Sequence, residues 1–198
     1  MPDIVSLCVF CGSSPGNRPS YREAAIALAA AMCARGIGVV YGGGNVGLMG
    51  ELSRATMAAG GRVVGIIPQA LLDREKADQR ITRLEVVATM HERKARMAEL
   101  SDGFVALPGG YGTLEEFCEV LTWAQLGIHE KPVALLNVAG YFDPLLALFD
   151  HAVREGFLRP QNRELVLVHE TVEALLDALI AWQPQAQAGS PGAAGLGT

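Results

Sequence analysis

The stretch GFVALPGGYGTLEEFCEVLTWAQ, residues 103–125, decides the fold. Residues 103–108 are apolar nearly throughout, the pattern of a strand covered on both faces. Three glycines and a threonine follow at 109–113. From there Phe117, Val120, Leu121 and Ala124 recur at helical spacing, predicting a helix over 113–126. A buried strand that turns through glycine into an amphipathic helix is part of a βαβ unit. The turn also poses a chemical question. Glycines at a helix start suit a phosphate, yet Glu115 and Glu116 follow almost at once and would repel one.

Six further β-rich apolar runs read as strands: 4–10, 38–42, 62–67, 84–89, 132–137 and 164–169. Helical patterns fall between most of them, at about 19–35, 47–59, 91–101, 143–155 and 171–181. Alternation of this kind predicts an α/β fold, a Rossmann-like, doubly wound and mainly parallel sheet with helices on both faces. Residues 68–83 are polar and charged and read as a mobile excursion. The expectation is a single nucleotide-binding domain over 1–182. The Gly/Ala/Gln/Pro-rich end, 183–198, is expected to be a disordered tail.

Half of the 198 residues are hydrophobic and 19% are charged, a globular rather than a disordered composition. A net charge of −5 argues against general affinity for nucleic acid or anionic membranes. No basic region precedes the first apolar run and no run reaches the roughly 20 residues of a membrane span. A cytoplasmic location is the expectation. Cys8 and Cys11 form a C-x-x-C, but residues three apart on a strand point to opposite faces. No further Cys/His pair completes a metal site. Core packing is the better reading, and no metal or cofactor is assigned.

In a doubly wound sheet, ligands bind beyond the C-terminal strand ends. Three Gly-rich turns fall there: residues 11–16, 42–50 and 108–113. Gly42, Gly44 and Gly47 fit G-x-G-x-x-G, but the next strand runs into Pro68-Gln69 instead of an acid, which disfavours NAD. No Walker A loop is present. Helix geometry adds two anomalies. Glu116 projects between Val120 and Trp123 on the apolar flank, while Glu115 and Glu119 face outward. On the helix at 91–101, Arg93 falls in the stripe of Met90, Met97 and Leu100, with Lys94 on the other flank. An unpaired buried charge is costly, so Arg93 and Glu116 either form a buried bridge or face a ligand cavity. A glutamate set away from the phosphate could orient water or stabilise positive charge on a sugar ring.

These residues resemble the LONELY GUY (LOG) family of cytokinin riboside 5′-monophosphate phosphoribohydrolases, some of which carry a lysine decarboxylase label. The resemblance rests on CVFCGSSPG (8–16), GGGNVGLMG (42–50), MHERKARM (90–97), PGGYGTLEE (108–116) and residues 122–146, and covers about 5–182. It implies hydrolysis of the N-glycosidic bond of a purine nucleoside 5′-monophosphate, releasing free base and ribose 5-phosphate. Arg93 and Glu116 fall on the family's catalytic positions. Gly109, Gly110, Gly112 and Thr113 would hold phosphate, and Glu75, Lys94, Glu115 and Thr122 would line the ligand site. Gly12, Ser13, Gly43, Gly44 and Met90 are further contact candidates for phosphate or base. A homodimer is implied, and no cofactor. The alternative is a non-catalytic nucleotide or cofactor carrier on a related fold. A PLP decarboxylase is disfavoured, since Lys76, Lys94 and Lys131 are the only lysines and none has a convincing cofactor pocket.

Overall fold

The computed structural model describes residues 4–72 and 76–184. Seven strands form one sheet: β1 Ser6–Phe10, β2 Gly38–Tyr41, β3 Val63–Pro68, β4 Arg83–Val87, β5 Gly103–Ala106, β6 Val133–Leu136 and β7 Val166–His169. Their order is β4-β3-β2-β1-β5-β6-β7, and every neighbouring pair is parallel. All seven expected strands are present, each within a few residues of its apolar run. The order reverses between β1 and β5, so the turns leaving these two strands diverge at the switch point of the sheet.

The main helices are α1 Pro19–Ala34, α2 Gly47–Ala58, α3 Met90–Glu99, α4 Tyr111–Gln125, α5 Asp143–Arg154, the short α6 Pro160–Arg163 and α7 Val172–Ala181. They make two core layers. On one side α1, α2 and α7 pack on Leu7, Val9, Val39, Val105 and Leu107. On the other, α3, α4 and α5 pack on Cys8, Phe10, Phe104, Ala106 and Leu135. The period of two along β1 explains the cysteines, since Cys8 belongs to one layer and Cys11 to the other. Burial raises both thiols, and the Glu116 charge raises them further.

The excursion after β3 is more anchored than its polarity suggests. Gln69–Leu71 form a short 3-10 turn, Ala77 bridges Gly44, and the Asp78 amide donates to the Gly43 carbonyl at 3.0 Å. The Asp78 side chain is buried, accepts from Ser53 Oγ at 3.3 Å and pairs with Arg80 at 3.0 Å. A polar segment is thus tied by its backbone to the glycine turn after β2, and by one buried carboxylate to Ser53 of α2. Among the described residues no helix is long and apolar enough to cross a membrane.

Candidate active site

Gly12 joins the three glycine turns. Its amide donates to the Pro108 carbonyl at 3.1 Å, and its carbonyl accepts from the Leu48 amide at 2.9 Å. The turns after β1, β2 and β5 therefore form one continuous backbone surface. Helix α4 rises from it with Gly110 as its N-cap, and no side chain caps that end. The first amides of a helix have no partner within it and carry the positive end of its dipole. Gly110 and Gly112 leave that surface bare, with open space where a Cβ would stand. Gly109 is confined instead: a Cβ there would lie 2.1 Å from Thr113 Oγ1. Thr113, 4% exposed, closes the turn from inside, and Ser13 lies exposed at its rim.

Helix α3 supplies the cations, and its start carries a side-chain cap. Thr89 Oγ1 accepts from the Glu92 amide at 3.1 Å, while the Glu92 carboxylate accepts from the Ala88 amide at 2.8 Å. One turn on, Arg93 is 5% exposed. Its Nη2 donates to the Gly42 carbonyl at 3.0 Å, and Nη1 approaches the Met90 sulfur at 3.8 Å. A Cβ on Gly42 would fall 1.8 Å from Nη2, so glycine is what admits the guanidinium. Met90 is 41% exposed and sits beside Arg93 at the helix mouth instead of in an inner stripe. The reason is its place as the first residue of α3, where the core has not yet closed over the helix. Gly43 and Gly44 are buried and engage residues 77–78 through their backbone.

Glu116 lines a recess with Phe10, Phe104, Lys94, Glu119, Val120 and Trp123. The apolar-flank placement expected for it is what the structure has. The Arg93 and Glu116 charges both lie near the buried Cys8 thiol, Glu116 raising its pKa and Arg93 lowering it. Lys94 reaches across from α3 to Glu115 and Glu119 at 2.5 and 2.9 Å. Burial lowers the lysine pKa, but hydrogen bonds to Glu115 and Glu119 outweigh it and hold the group above its ordinary value. Lys94 is therefore a firmly protonated tie between helices.

Not every expected contact gathers at this point. Thr122 is exposed and its hydroxyl donates to the Cys118 carbonyl at 2.7 Å. It stands nine residues beyond Thr113, about 13 Å along the axis, on the outer face shared by Tyr111, Glu115 and Cys118. Glu75 lies outside the described residues. Two neighbours of the candidate site escaped the sequence reading. Glu119 is assigned outward by α4 alone, yet it lines the recess because Lys94 draws it across; a search for acids within reach of a flank lysine would have found it. Tyr141 has no periodicity to expose it, and its hydroxyl donates to the Gly109 carbonyl at 2.5 Å.

By fold this is a Rossmann-like α/β protein whose charged groups collect at the switch point of the sheet. The family model described as "Possible lysine decarboxylase" matches residues 49–179. Cytokinin riboside 5′-monophosphate phosphoribohydrolase LOG1 of Arabidopsis thaliana is 51% identical over 179 residues, 90% of this chain and 84% of that protein. The probable phosphoribohydrolase LOGL5 of Oryza sativa subsp. japonica is 54% identical over 178 residues, 90% and 72% of the two chains. The chain belongs to the LOG family. Among solved structures, the molybdenum cofactor carrier protein of Chlamydomonas reinhardtii superposes with a TM-score of 0.65 at 21% identity, covering 87% of this chain and 94% of its own. The molybdenum cofactor binding protein of Rippkaea orientalis gives 0.64 at 23%, covering 87% and 93%. At such identities the likeness concerns the fold alone.

Proposed function

We propose that this chain is a nucleoside 5′-monophosphate phosphoribohydrolase, cleaving the N-glycosidic bond of cytokinin riboside 5′-monophosphates, AMP or both. Water adds at the anomeric carbon, the bond to the base breaks, and the products are free base and ribose 5-phosphate. The observation that carries the reading is the split character of α4, an uncapped amide end followed by a carboxylate in a recess walled by Phe10, Phe104, Val120 and Trp123, with Lys94 and Glu119 at its side. The 5′-phosphate is assigned to the amides at Gly109–Thr113. Glu116 follows Gly110 by six residues, about 9 Å of axis, and helical side chains lean back toward the N-terminus. Its carboxylate is thus offered to the sugar, where it orients water or stabilises an oxocarbenium-like transition state. Arg93, held by the Gly42 carbonyl, positions the ligand and assists the leaving group. The phosphoribohydrolase activity named for the relatives, at above 50% identity over nine-tenths of this chain, supports the same chemistry.

A lysine decarboxylase is the poorer fit. A Schiff-base lysine must become a neutral amine, whereas Lys94 is held protonated by two carboxylates and Lys131 Nζ is tied to the Ala98 carbonyl at 2.8 Å. Lys76, the third lysine, is exposed. Incubation with AMP and isopentenyladenosine monophosphate, followed by chromatographic separation of base from nucleotide, tests the proposal. Release of base supports it; tight nucleotide binding with no release from any monophosphate would replace it with a carrier.

A homodimer belongs to the same proposal. The outer face of α4 exposes Tyr111 at 94% and ends at Leu126 and Ile128, both 65% exposed, with Met90 also exposed on α3. A second copy covering this face would approach Glu115 and Thr122. Sedimentation equilibrium at micromolar concentration tests it, and a monomer there would count against it.

A further inference from the structure

The turn that begins α4 contains Gly109 and Gly110, whose peptide has no side chain on either flank to restrain it. Two carbonyls of the turn are nonetheless held from outside. The Pro108 carbonyl accepts from the Gly12 amide, and the Gly109 carbonyl accepts from the Tyr141 hydroxyl at 2.5 Å. In a trans peptide the C=O of one residue and the N–H of the next point in opposite directions. A hydroxyl that fixes the Gly109 carbonyl on its own side therefore aims the Gly110 amide the other way. If that peptide rotated, a carbonyl would take the place of a donor at an anion-binding helix end.

Tyr141 is itself closely held. Ala139 has φ +52°, a conformation disfavoured for residues with a Cβ, and Gly140 has φ +70°. Asn137 closes the loop behind them: its Nδ2 donates to Asp143 Oδ1 at 2.7 Å and its Oδ1 accepts from the Phe142 amide at 2.8 Å. The ring meets Tyr21 and Phe142 edge to face, at centroid distances of 5.7 and 5.0 Å. The loop after β6 thus spends an unfavourable backbone conformation on presenting one hydroxyl to the turn after β5.

We propose that Tyr141 is a positioning residue that orients the Gly109–Gly110 peptide for phosphate, setting affinity for the 5′-phosphate instead of the rate of bond cleavage. This rests on the assignment of phosphate to Gly109–Thr113. The test compares full-length wild type with Tyr141→Phe, which keeps the ring and removes the hydroxyl. Calorimetric titration with ribose 5-phosphate should show binding weakened about tenfold, the scale of one hydrogen bond. KM for the monophosphate should rise in parallel, with kcat within about twofold. Unchanged ribose 5-phosphate affinity would overturn the proposal, and so would an equal fall in kcat without a rise in KM. A thermal shift with both constants preserved would also overturn it by reducing the tyrosine to packing. Should wild type release no base, the hydrolase reading fails, and the ribose 5-phosphate affinity ratio still decides the role of Tyr141.

Discussion

Helices α3 and α4 both start beside the sheet's switch point, but their first turns are built in opposite ways. In α3 the N-cap Thr89 accepts from the Glu92 amide, the Glu92 carboxylate accepts from the Ala88 amide just before the helix, and the residues one turn on are cations, Arg93 and Lys94. In α4 the cap is a glycine with no side-chain acceptor, the first turn holds no acid, and carboxylates follow at 115, 116 and 119. One helix closes its positive end and offers side-chain cations; the other leaves that end open and offers side-chain anions. The difference resolves the conflict between glycines and glutamates. Phosphate and carboxylate need not compete if, as proposed, the amides serve one end of a ligand and Glu116 the other. The excess negative charge on α4 is offset by Lys94 arriving from α3.

The sharpest way to break the comparison is at Glu116. Glu116→Gln keeps the shape of the recess and removes the charge assigned to the sugar. We expect kcat to fall about a thousandfold, within the range of a positioned acid–base group, while calorimetry with ribose 5-phosphate changes by less than about threefold. A mutant with ordinary kcat would make Glu116 a structural acid and end the division of labour along α4.

The second variant turns α4 into a copy of α3. Gly110 has φ −93° and ψ −154°, an extended conformation open to any residue, and nothing stands where its Cβ would be. Gly110→Asp should therefore fold, with an N-cap carboxylate taking the amides for itself. Helix stability should hold or rise by a few tenths of a kcal/mol. Repulsion between that carboxylate and a dianionic ligand at close range is of order 1–4 kcal/mol, so KM for the monophosphate should rise about a hundredfold. A melting temperature that holds while KM climbs would sharpen the contrast; an unchanged KM would place the phosphate elsewhere.

Much of this contrast is legible in the sequence, and what is missing has a physical reason. The central strands, buried on both faces, announce themselves as unbroken apolar runs, while the partly exposed edge strands β4 and β7 are legible from short β-rich apolar stretches. Arg93 and Glu116 were also readable, because a charge on an apolar flank violates helical periodicity. Periodicity of one helix cannot see the other. Glu119 reads as an outward acid until Lys94 is placed opposite it, and Met90 reads as core until its position at the helix mouth is known. Asp78 and Tyr141 lie in irregular segments, where no period exists to be broken. Their roles depend on the carbonyls and amides of distant glycines, which composition does not encode.

At the closed end the expected effect is on stability alone. Thr89→Ala removes the side-chain acceptor of α3 and should cost about 1 kcal/mol, measured by chemical denaturation. KM should stay within about twofold, since α3 already carries a side-chain cap and the phosphate is assigned to α4. A KM change of tenfold or more would show that α3 is also part of the anion site and that its cap is a surrogate ligand.

The smallest effect concerns the tie between the two helices. The Lys94 pKa lies above its ordinary value of 10.5, with burial opposing the shift and hydrogen bonds to Glu115 and Glu119 driving it. A raised folded-state pKa means that the native chain binds this proton more tightly than the unfolded chain. The contribution is therefore complete below pH 10.5 and is lost as the pH rises through the folded value. For a partly exposed ion pair the whole effect should be under about 1 kcal/mol. Glu119→Gln should lower stability at neutral pH by part of that amount and flatten the alkaline loss seen in denaturation curves between pH 9 and pH 12, a range set by the roughly unit-scale spread of lysine pKa values. If the mutant keeps the full alkaline slope, Glu119 adds nothing to the tie, and the charge link between the two helices rests on Glu115 alone.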